Sequence, residues 1–388
     1  MRNLLWGPDW PSVRARWPLD PERVHLNHGS FGAVPTTVLD HQEDLRRRVA
    51  RNPVRELWGT FTGGQEGPRH AAAAFLGADP DGFAFVPNAT TGVNAVLSSI
   101  VLEAHDEVLV TDHAYGAVRY AVARASESAG ATVVVQPVPL PSTRADELSG
   151  AVLAGVTPRT RLAIVDQIAS PTGLRFPVER LVAELRDRGV LSLVDGAHAP
   201  GMVDVDLAAV DPDFWTGNFH KWPCAPRGTA ALTVADRWRS RALPLIASWA
   251  EHDPMPERFD WQATDDYVGW VAAPVSLEVL AELDWPRRRA ELSAMLDETA
   301  TQVAKSVGTT PPDVASPAPT MRLVELPVSW PRGDHAAGDA FKTRAAQEIG
   351  ASLTVTAHGD RRYLRLSAHA YNAPRDYELL AARLPALL

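Results

Sequence analysis

The stretch GNFHKWPC, residues 217–224, contains Lys221, one of only three lysines in a chain of 388 residues. Arginine fills most other basic positions, and Lys305 and Lys342 are the remaining lysines. An arginine stays protonated at any accessible pH, whereas a buried lysine amine can lose its proton and act as a nucleophile or a base. Lys221 is therefore a candidate covalent catalyst, and a surface lysine is the alternative interpretation.

The composition is typical of a globular protein with two domains. The chain is 45% apolar and 22% charged, and its 38 basic and 47 acidic residues give a net charge of −9, which predicts no nucleic-acid partner. The single cysteine, Cys224, excludes an internal disulfide. The N-terminus does not resemble a signal peptide and no apolar run approaches roughly 20 residues, so we expect a cytoplasmic protein without a membrane span.

Around Lys221, short apolar runs alternate with amphipathic stretches. This alternation predicts a mainly parallel sheet covered by helices on both faces, within a large α/β domain over residues 36–245. We expect an N-terminal arm over residues 1–35, and a loop region with a smaller C-terminal α+β domain over 246–388. The predicted strands of the large domain are Phe83–Val86, Glu107–Thr111, Thr132–Gln136, Leu162–Asp166, Leu191–Val194, Asp213–Thr216 and Thr229–Val234.

Three polar stretches follow predicted strands, at the sheet edge where α/β proteins bind ligands. The first is FVPNATTGVNAV, residues 85–96, in which a helix is predicted to begin near Thr90. A helix N-terminus with threonine hydroxyls can bind a phosphate group. The alternative is an ordinary helix capped by Asn88 or Thr90.

The second stretch, LSLVDGAHAPG at residues 191–201, delivers Asp195 to a strand end, where it would pair with a protonated ring nitrogen or cap a turn. The third stretch contains Lys221. Asp195, His198 and His220 do not have the spacing of a metal site, so we expect no metal. A lysine, an aspartate and a phosphate cup on one sheet edge together predict pyridoxal 5′-phosphate (PLP).

These stretches resemble the class V aminotransferase family of fold type I PLP enzymes, most closely its isopenicillin N epimerase branch. The resemblance runs in family order from residue 26 to 372. It implies the fold of the PLP-dependent transferases. The matching stretches are LNHGSFGAVP (26–35), NATTGVNAV (88–96), TDHAYGAVR (111–119), SPTGLRFP (170–177), VDGAHAPG (194–201), HKWPCAPRG (220–228), ATDD (263–266) and LRLSAHAYN (364–372).

The resemblance also implies roles for individual residues. Lys221 would form the imine with PLP, Asp195 would bind the pyridine nitrogen, and Arg365 would bind the substrate carboxylate. His113 would stack on the cofactor ring, although Tyr115 is an alternative. Thr264 would reach the phosphate in the partner subunit, which implies a homodimer with the active site at the interface. The further cofactor-binding residues would be Ala89, Thr90, Thr91, His198, Asn218 and His220.

The chain departs from the family pattern where substrate selection is expected. His28 replaces a small hydroxylated residue in a segment expected to face the substrate, so it is a candidate substrate-binding and catalytic residue; a packed histidine of the arm is the alternative. Ala263 replaces the usual glycine before Thr264. We expect an epimerase of secondary metabolism acting at Cα of an amino acid or a peptide-linked amino acid.

Two other activities and one non-catalytic alternative are considered at the level of the sequence. Residues 348–360 contain no cysteine, so a persulfide relay is not expected, although a β-eliminating lyase that releases its product directly stays possible. An aminotransferase is the third candidate. A catalytically silent PLP-fold protein is disfavoured because Lys221, Asp195 and Arg365 are all retained.

Overall fold

The computed structural model describes residues 6–61, 63–141, 144–327 and 335–388. The strands in these residues are β1 (Val24–His25), β2 (Phe83–Val86), β3 (Glu107–Thr111), β4 (Thr132–Gln136), β5 (Thr160–Asp166), β6 (Leu191–Asp195), β7 (Phe214–Asn218), β8 (Ala230–Val234), β9 (Met321–Glu325), β10 (Ala351–Ser352), β11 (Val355–His358) and β12 (Arg361–Ser367).

The α-helices in these residues are α1 (Trp10–Arg14), α2 (Thr36–Arg51), α3 (Glu66–Phe75), α4 (Ala89–Ser99), α5 (Gly116–Ala129), α6 (Ala145–Leu153), α7 (Val178–Asp187), α8 (Leu207–Val210), α9 (Asp236–Arg239), α10 (Glu257–Asp260), α11 (Val268–Val271), α12 (Ala273–Glu282), α13 (Trp285–Ser306), α14 (His335–Glu348) and α15 (Pro374–Arg383). A π-helix covers Arg55–Phe61, and 3₁₀ turns cover Pro80–Gly82 and Leu384–Ala386. Among the described residues, no helix combines the length and apolarity that a membrane crossing needs.

The large sheet has the strand order β2-β8-β7-β6-β5-β3-β4, and β8 is antiparallel to both of its neighbours. The other strands run parallel, which confirms the predicted fold class. As a result, β2, β3, β5, β6 and β7 all end at the same edge of the sheet. Their side chains are buried because helices cover both faces, as their continuous apolar sequences require.

Helix α7 shows how the covering layers attach to the sheet. Its apolar residues Leu181, Val182 and Leu185 are buried, and they join a core with strand residues such as Val165. Gly189, with φ +72°, follows the helix in the left-handed conformation that glycine adopts without a Cβ clash. The period of the sequence therefore fixes which face of α7 meets the sheet.

A second, antiparallel sheet has the order β11-β12-β9, and β1 of the N-terminal segment pairs in parallel with β10. Trp17 and Leu26 of that segment pack in one apolar core with C-terminal residues. Helices α12 and α13 are separate, because Asp284 between them is left-handed with φ +51° and Pro286 in the first turn of α13 lacks an amide hydrogen. The long loop expected before them contains α10 and α11. The domain boundaries at 35 and 245 stay predictions.

Candidate active site

A cavity of about 370 Å³ lies at the carboxyl edge of the large sheet. It collects residues that follow five separate strand ends, as expected for a ligand site in this topology. Its lining residues are Ser30, Phe31, Pro87, Asn88, Ala89, Thr90, Tyr115, Asp166, Ile168, Ser170, Asp195, Ala197, His198, Asn218, His220, Lys221, Arg227 and Gly228. A second cavity of about 680 Å³ adjoins it and shares Tyr115 and Ser170.

Lys221 reaches this cavity from the loop after β7. Its Nζ lies 2.9 Å from Nε2 of His198. Burial, followed by the charge of Arg365, lowers the pKa of Lys221 to about 7, while the carboxyl of Asp195 opposes the shift. The amine is therefore available in its neutral, nucleophilic form near neutral pH, as the sequence suggested.

Asp195 ends β6 and is 5% exposed. One of its oxygens, Oδ1, accepts a hydrogen bond of 2.9 Å from the amide of Ala197. Burial raises the pKa of Asp195, and the Ala197 amide and the Lys221 charge oppose that shift. Asp195 thus shares the cavity with Lys221, and among the described residues it forms no ion pair with an arginine.

The first turn of α4 forms one wall of the cavity. Asn88 caps the helix by accepting from the amide of Thr91 at 2.9 Å, and Asn218 accepts from the amide of Ala89 at 2.9 Å. Thr90 lines the cavity, whereas the hydroxyl of Thr91 bonds Asn88 instead. The helix is thus both capped and open to the cavity, so the two interpretations of this stretch are compatible.

Close packing places helix α4 next to β7, the strand that precedes the loop with Lys221. A Cβ on Gly92 would lie 2.2 Å from Oγ1 of Thr216, so no larger residue fits there. His220 and Arg227 line the cavity on the side of the lysine loop. Burial, followed by the Lys221 charge, lowers the pKa of His220 to about 4, so it is a neutral hydrogen-bonding group.

His113 and Tyr115 occupy different environments, although both follow β3. His113 is fully buried, with Nδ1 2.8 Å from Oγ1 of Thr172 and Nε2 2.9 Å from the carbonyl of Val138. It does not line the cavity, and Tyr115 does. Of the two candidates for the residue over the cofactor ring, the geometry favours Tyr115.

Arg365 lies directly behind the cavity wall and is 3% exposed. Its guanidinium donates to the carbonyl and hydroxyl of Ser170 and, at 3.2 Å, to the hydroxyl of Ser30. Both serines line the cavity, and Nε of Arg365 has no hydrogen-bond partner among the described residues. The arginine is therefore held close to a position from which it can reach an anion.

His28 lies in the interior, as the packed-histidine alternative predicted. Its Nδ1 is 2.7 Å from the hydroxyl of Tyr371, and its Nε2 is 2.9 Å from the carbonyl of Lys221. The ring stacks on His369 at 4.4 Å. Because both nitrogens are occupied and His28 does not line the cavity, it supports the lysine loop and has no free nitrogen for catalysis or for a metal with His369 and Cys224.

Thr264 is exposed and does not line the cavity of its own chain. Ala263 before it has φ +70°, a conformation that costs a non-glycine residue roughly 1 kcal/mol. This explains in physical terms why the family pattern has glycine there.

The cavity fits PLP on several independent grounds. It offers an amine of lowered pKa, a buried carboxyl and an open helix N-terminus. Nδ1 of His198 is buried without a hydrogen-bond partner among the described residues. Sequence reasoning did not single out Ser30, Phe31, Asp166, Ser170 or Arg227. Ser30, Phe31, Ser170 and Arg227 all lie inside the quoted family stretches, and Ser170 and Arg227 also follow β5 and β7, so these positions were the available signal.

Comparisons with known proteins show what the whole chain is similar to. The family pattern described as aminotransferase class-V matches residues 31–285. The chain is 32% identical to isopenicillin N epimerase of Streptomyces clavuligerus, over 98% of each chain. It is 28% identical to a probable chloroplastic L-cysteine desulfhydrase of Arabidopsis thaliana, over 93% of this chain and 82% of the relative. A structure of a C-DES variant with glycine covalently linked to its PLP cofactor superposes with a TM-score of 0.79 at 20% identity, covering 96% of this chain and 98% of that one.

Proposed function

Because the chain belongs to the class V aminotransferase family and is a PLP enzyme, we propose that it epimerises Cα of an amino acid or a peptide-linked amino acid. The similarity to isopenicillin N epimerase over the whole chain supports this reaction. The observation that carries the proposal is the amine of Lys221, its pKa lowered to about 7, in one cavity with Asp195, Thr90 and Tyr115.

Bound PLP withdraws electrons from Cα of an attached amino acid, which acidifies the Cα proton. Asp195 would sustain that effect by holding a positive charge on the ring nitrogen. Lys221 would hold the cofactor covalently and then take the Cα proton at Nζ, with His198 accepting or donating at 2.9 Å. Arg365 would fix the substrate carboxylate through its planar fork.

Epimerisation requires a second proton donor on the opposite face of Cα. The lysine loop follows β7 and Tyr115 follows β3, with β6 and β5 between them, so the two residues reach the cavity from different strands of the sheet. We assign the second group to Tyr115, whose hydroxyl would return the proton that Lys221 does not. We propose no such role for His28, because both of its ring nitrogens have hydrogen-bond partners and it does not line the cavity.

A lyase that eliminates a β-substituent is the second candidate, supported by the desulfhydrase relatives. A persulfide relay through Cys224 does not fit, because the thiol is fully buried and burial raises its pKa far above its ordinary value. Such a lyase would have to release its sulfur product directly from the cavity.

Product analysis in D₂O separates the candidates. Over a panel of amino acids and small peptides, we expect exchange of the Cα hydrogen and inversion of the centre, without keto acid, ammonia or sulfide. Stoichiometric pyruvate and ammonia from cysteine-type substrates would instead establish the lyase. Keto acid formed with the amine form of the cofactor would establish an aminotransferase.

Covalent trapping tests the assignment of the lysine. After borohydride reduction we expect the cofactor on a peptide containing Lys221, and no label in Lys221→Ala or Lys221→Arg, because neither side chain can supply the imine nitrogen. Lys305→Ala is the matched control and should label normally, since Lys305 is exposed on α13. A label recovered on Lys305 or Lys342 would contradict the assignment.

A further inference from the structure

Asp166, which no role proposed above uses, ends β5 beside Asp195. The two residues are register partners in the parallel pair β5–β6. Neighbouring strands lie about 4.8 Å apart and register partners point to the same face of a sheet, so the two carboxyl groups are neighbours. Both residues line the cavity, and they are 3% and 5% exposed.

The two carboxyl groups differ in what stabilises their charge. Asp195 accepts from the Ala197 amide and feels the charge of Lys221. Within the described part of the chain Asp166 has no ion pair, and its own backbone amide is the one group that lowers the pKa of its carboxyl. Two buried carboxylates at such a distance do not both ionise, and the less well solvated one keeps the proton. Burial and the Asp195 charge accordingly raise the pKa of Asp166 well above its ordinary range.

We propose that Asp166 is a neutral carboxylic acid that donates a hydrogen bond to Asp195, so that the pair has a single negative charge located on Asp195. This inference rests on the proposed function in one respect, since the role of Asp195 toward the cofactor ring is itself proposed. A donor to the ionised form of a buried carboxyl favours that form. Asp166 is therefore a positioning residue that keeps Asp195 charged in a site where burial alone would neutralise it.

Infrared spectroscopy of the apoprotein tests the protonation directly, without activity. At pH 8 we expect the wild-type spectrum to contain a protonated-carboxyl stretch that Asp166→Asn removes and Asp195→Asn retains. Asp260, whose pKa burial raises to about 6, is ionised at that pH and does not interfere. If Asp195→Asn lost the band while Asp166→Asn retained it, the proposal would be overturned. An unchanged spectrum in Asp166→Asn would also overturn it.

Cofactor affinity tests the consequence for Asp195. Asp166→Asn keeps an N–H donor and should bind PLP within about threefold of wild type, whereas Asp166→Leu, of similar size but without a donor, should bind it about tenfold or more weakly. Circular dichroism of each variant checks that the fold is intact. Equal affinities of the Asn and Leu variants would contradict the hydrogen bond.

Asp195→Asn makes the two possible failures distinguishable. If that variant binds PLP with unchanged affinity and absorbance, the proposed role of Asp195 is wrong, while the infrared band still reports whether Asp166 is neutral. If it loses affinity and the Asn and Leu variants of Asp166 remain equal, only the inference about Asp166 fails.

Discussion

Lys221 is the residue whose chemistry depends most directly on burial. Its ammonium form would need water or a fully ionised partner, and the cavity offers Asp195 on one side and the competing charge of Arg365 on the other. The depressed pKa prepares the amine for attack on an aldehyde. It also makes the apoprotein less stable at low pH.

The cost of burying a protonated Lys221 predicts that the wild-type apoprotein and a Lys221→Met variant differ in their free energy of unfolding. The pKa of Lys221 is about 7 in the folded protein against 10.5 as its ordinary value, so the folded state binds the proton less well than the unfolded state. The cost is fully present below pH 7 and disappears as the pH rises toward 10.5. Lys221→Met should therefore stabilise the apoprotein by a few kcal/mol at pH 6 and by much less at pH 10.

Denaturant unfolding of the apoprotein at both pH values measures this difference. Lys305→Met, on the exposed side of α13, is the control and should show no such pH dependence. An equal effect of Lys221→Met on the free energy of unfolding at pH 6 and pH 10 would mean that the pKa of the Lys221 amine is not lowered in the folded protein.

Tyr115 decides the stereochemical outcome in our proposal. Tyr115→Phe should lower the rate of inversion by roughly 10²-fold, a size typical of losing one acid–base group, and leave exchange on the Lys221 face largely intact. The measurement compares deuterium uptake with inversion in D₂O. Equal losses of both rates would show that Tyr115 acts in binding.

At the scale of elements, the N-terminal segment packs closely against the loop that contains Lys221. A Cβ on Gly32 would lie 2.1 Å from the carbonyl oxygen of His220 and 2.6 Å from that of Lys221, so only glycine permits this approach. His28 binds the same loop through the Lys221 carbonyl. The position of the amine therefore depends on a segment almost two hundred residues earlier in the chain.

Gly32→Ala tests this dependence. We expect the added methyl to displace the loop, to destabilise the protein by roughly 1–3 kcal/mol, and to weaken PLP binding. Gly67→Ala, in helix α3 with open space around its Cβ position, should change neither property. Thermal unfolding and PLP titration measure both effects, and normal binding in Gly32→Ala would show that the contact is unimportant.

The helices and strands could largely be predicted from the sequence, but the contacts between residues far apart in the chain could not. Strand ends such as Asp195 were predicted because a buried parallel strand is a continuous apolar run that stops at a polar residue. The sequence does not indicate a role for Asp166, because its position beside Asp195 comes from the register of β5 against β6. His28 was expected to face the substrate, and its true partners, His369 and Tyr371, lie more than three hundred positions away.

At the scale of the whole molecule, Thr264 is an exposed residue whose proposed role needs a second subunit. It lies outside the cavity, on a turn fixed by the left-handed Ala263. If Thr264 binds the cofactor phosphate, it does so in a second copy of the chain. A symmetric dimer would then contain two cavities, each completed by the other subunit.

Complementation between two inactive variants tests this arrangement. Lys221→Ala lacks the amine but offers a normal Thr264, and Thr264→Glu keeps the amine but presents a negative charge to the partner's phosphate site, where like charges repel. Each variant alone should be inactive or bind PLP poorly. After random reassociation, half of the dimers are mixed and each has one intact site, so activity should recover to about a quarter of the wild-type value. Mixing Lys221→Ala with the double variant Lys221→Ala/Thr264→Glu should recover none. Absence of recovery in the first mixture, with dimers demonstrated by sedimentation, would mean that Thr264 does not act across the interface, because a site completed within one chain cannot be restored by a partner.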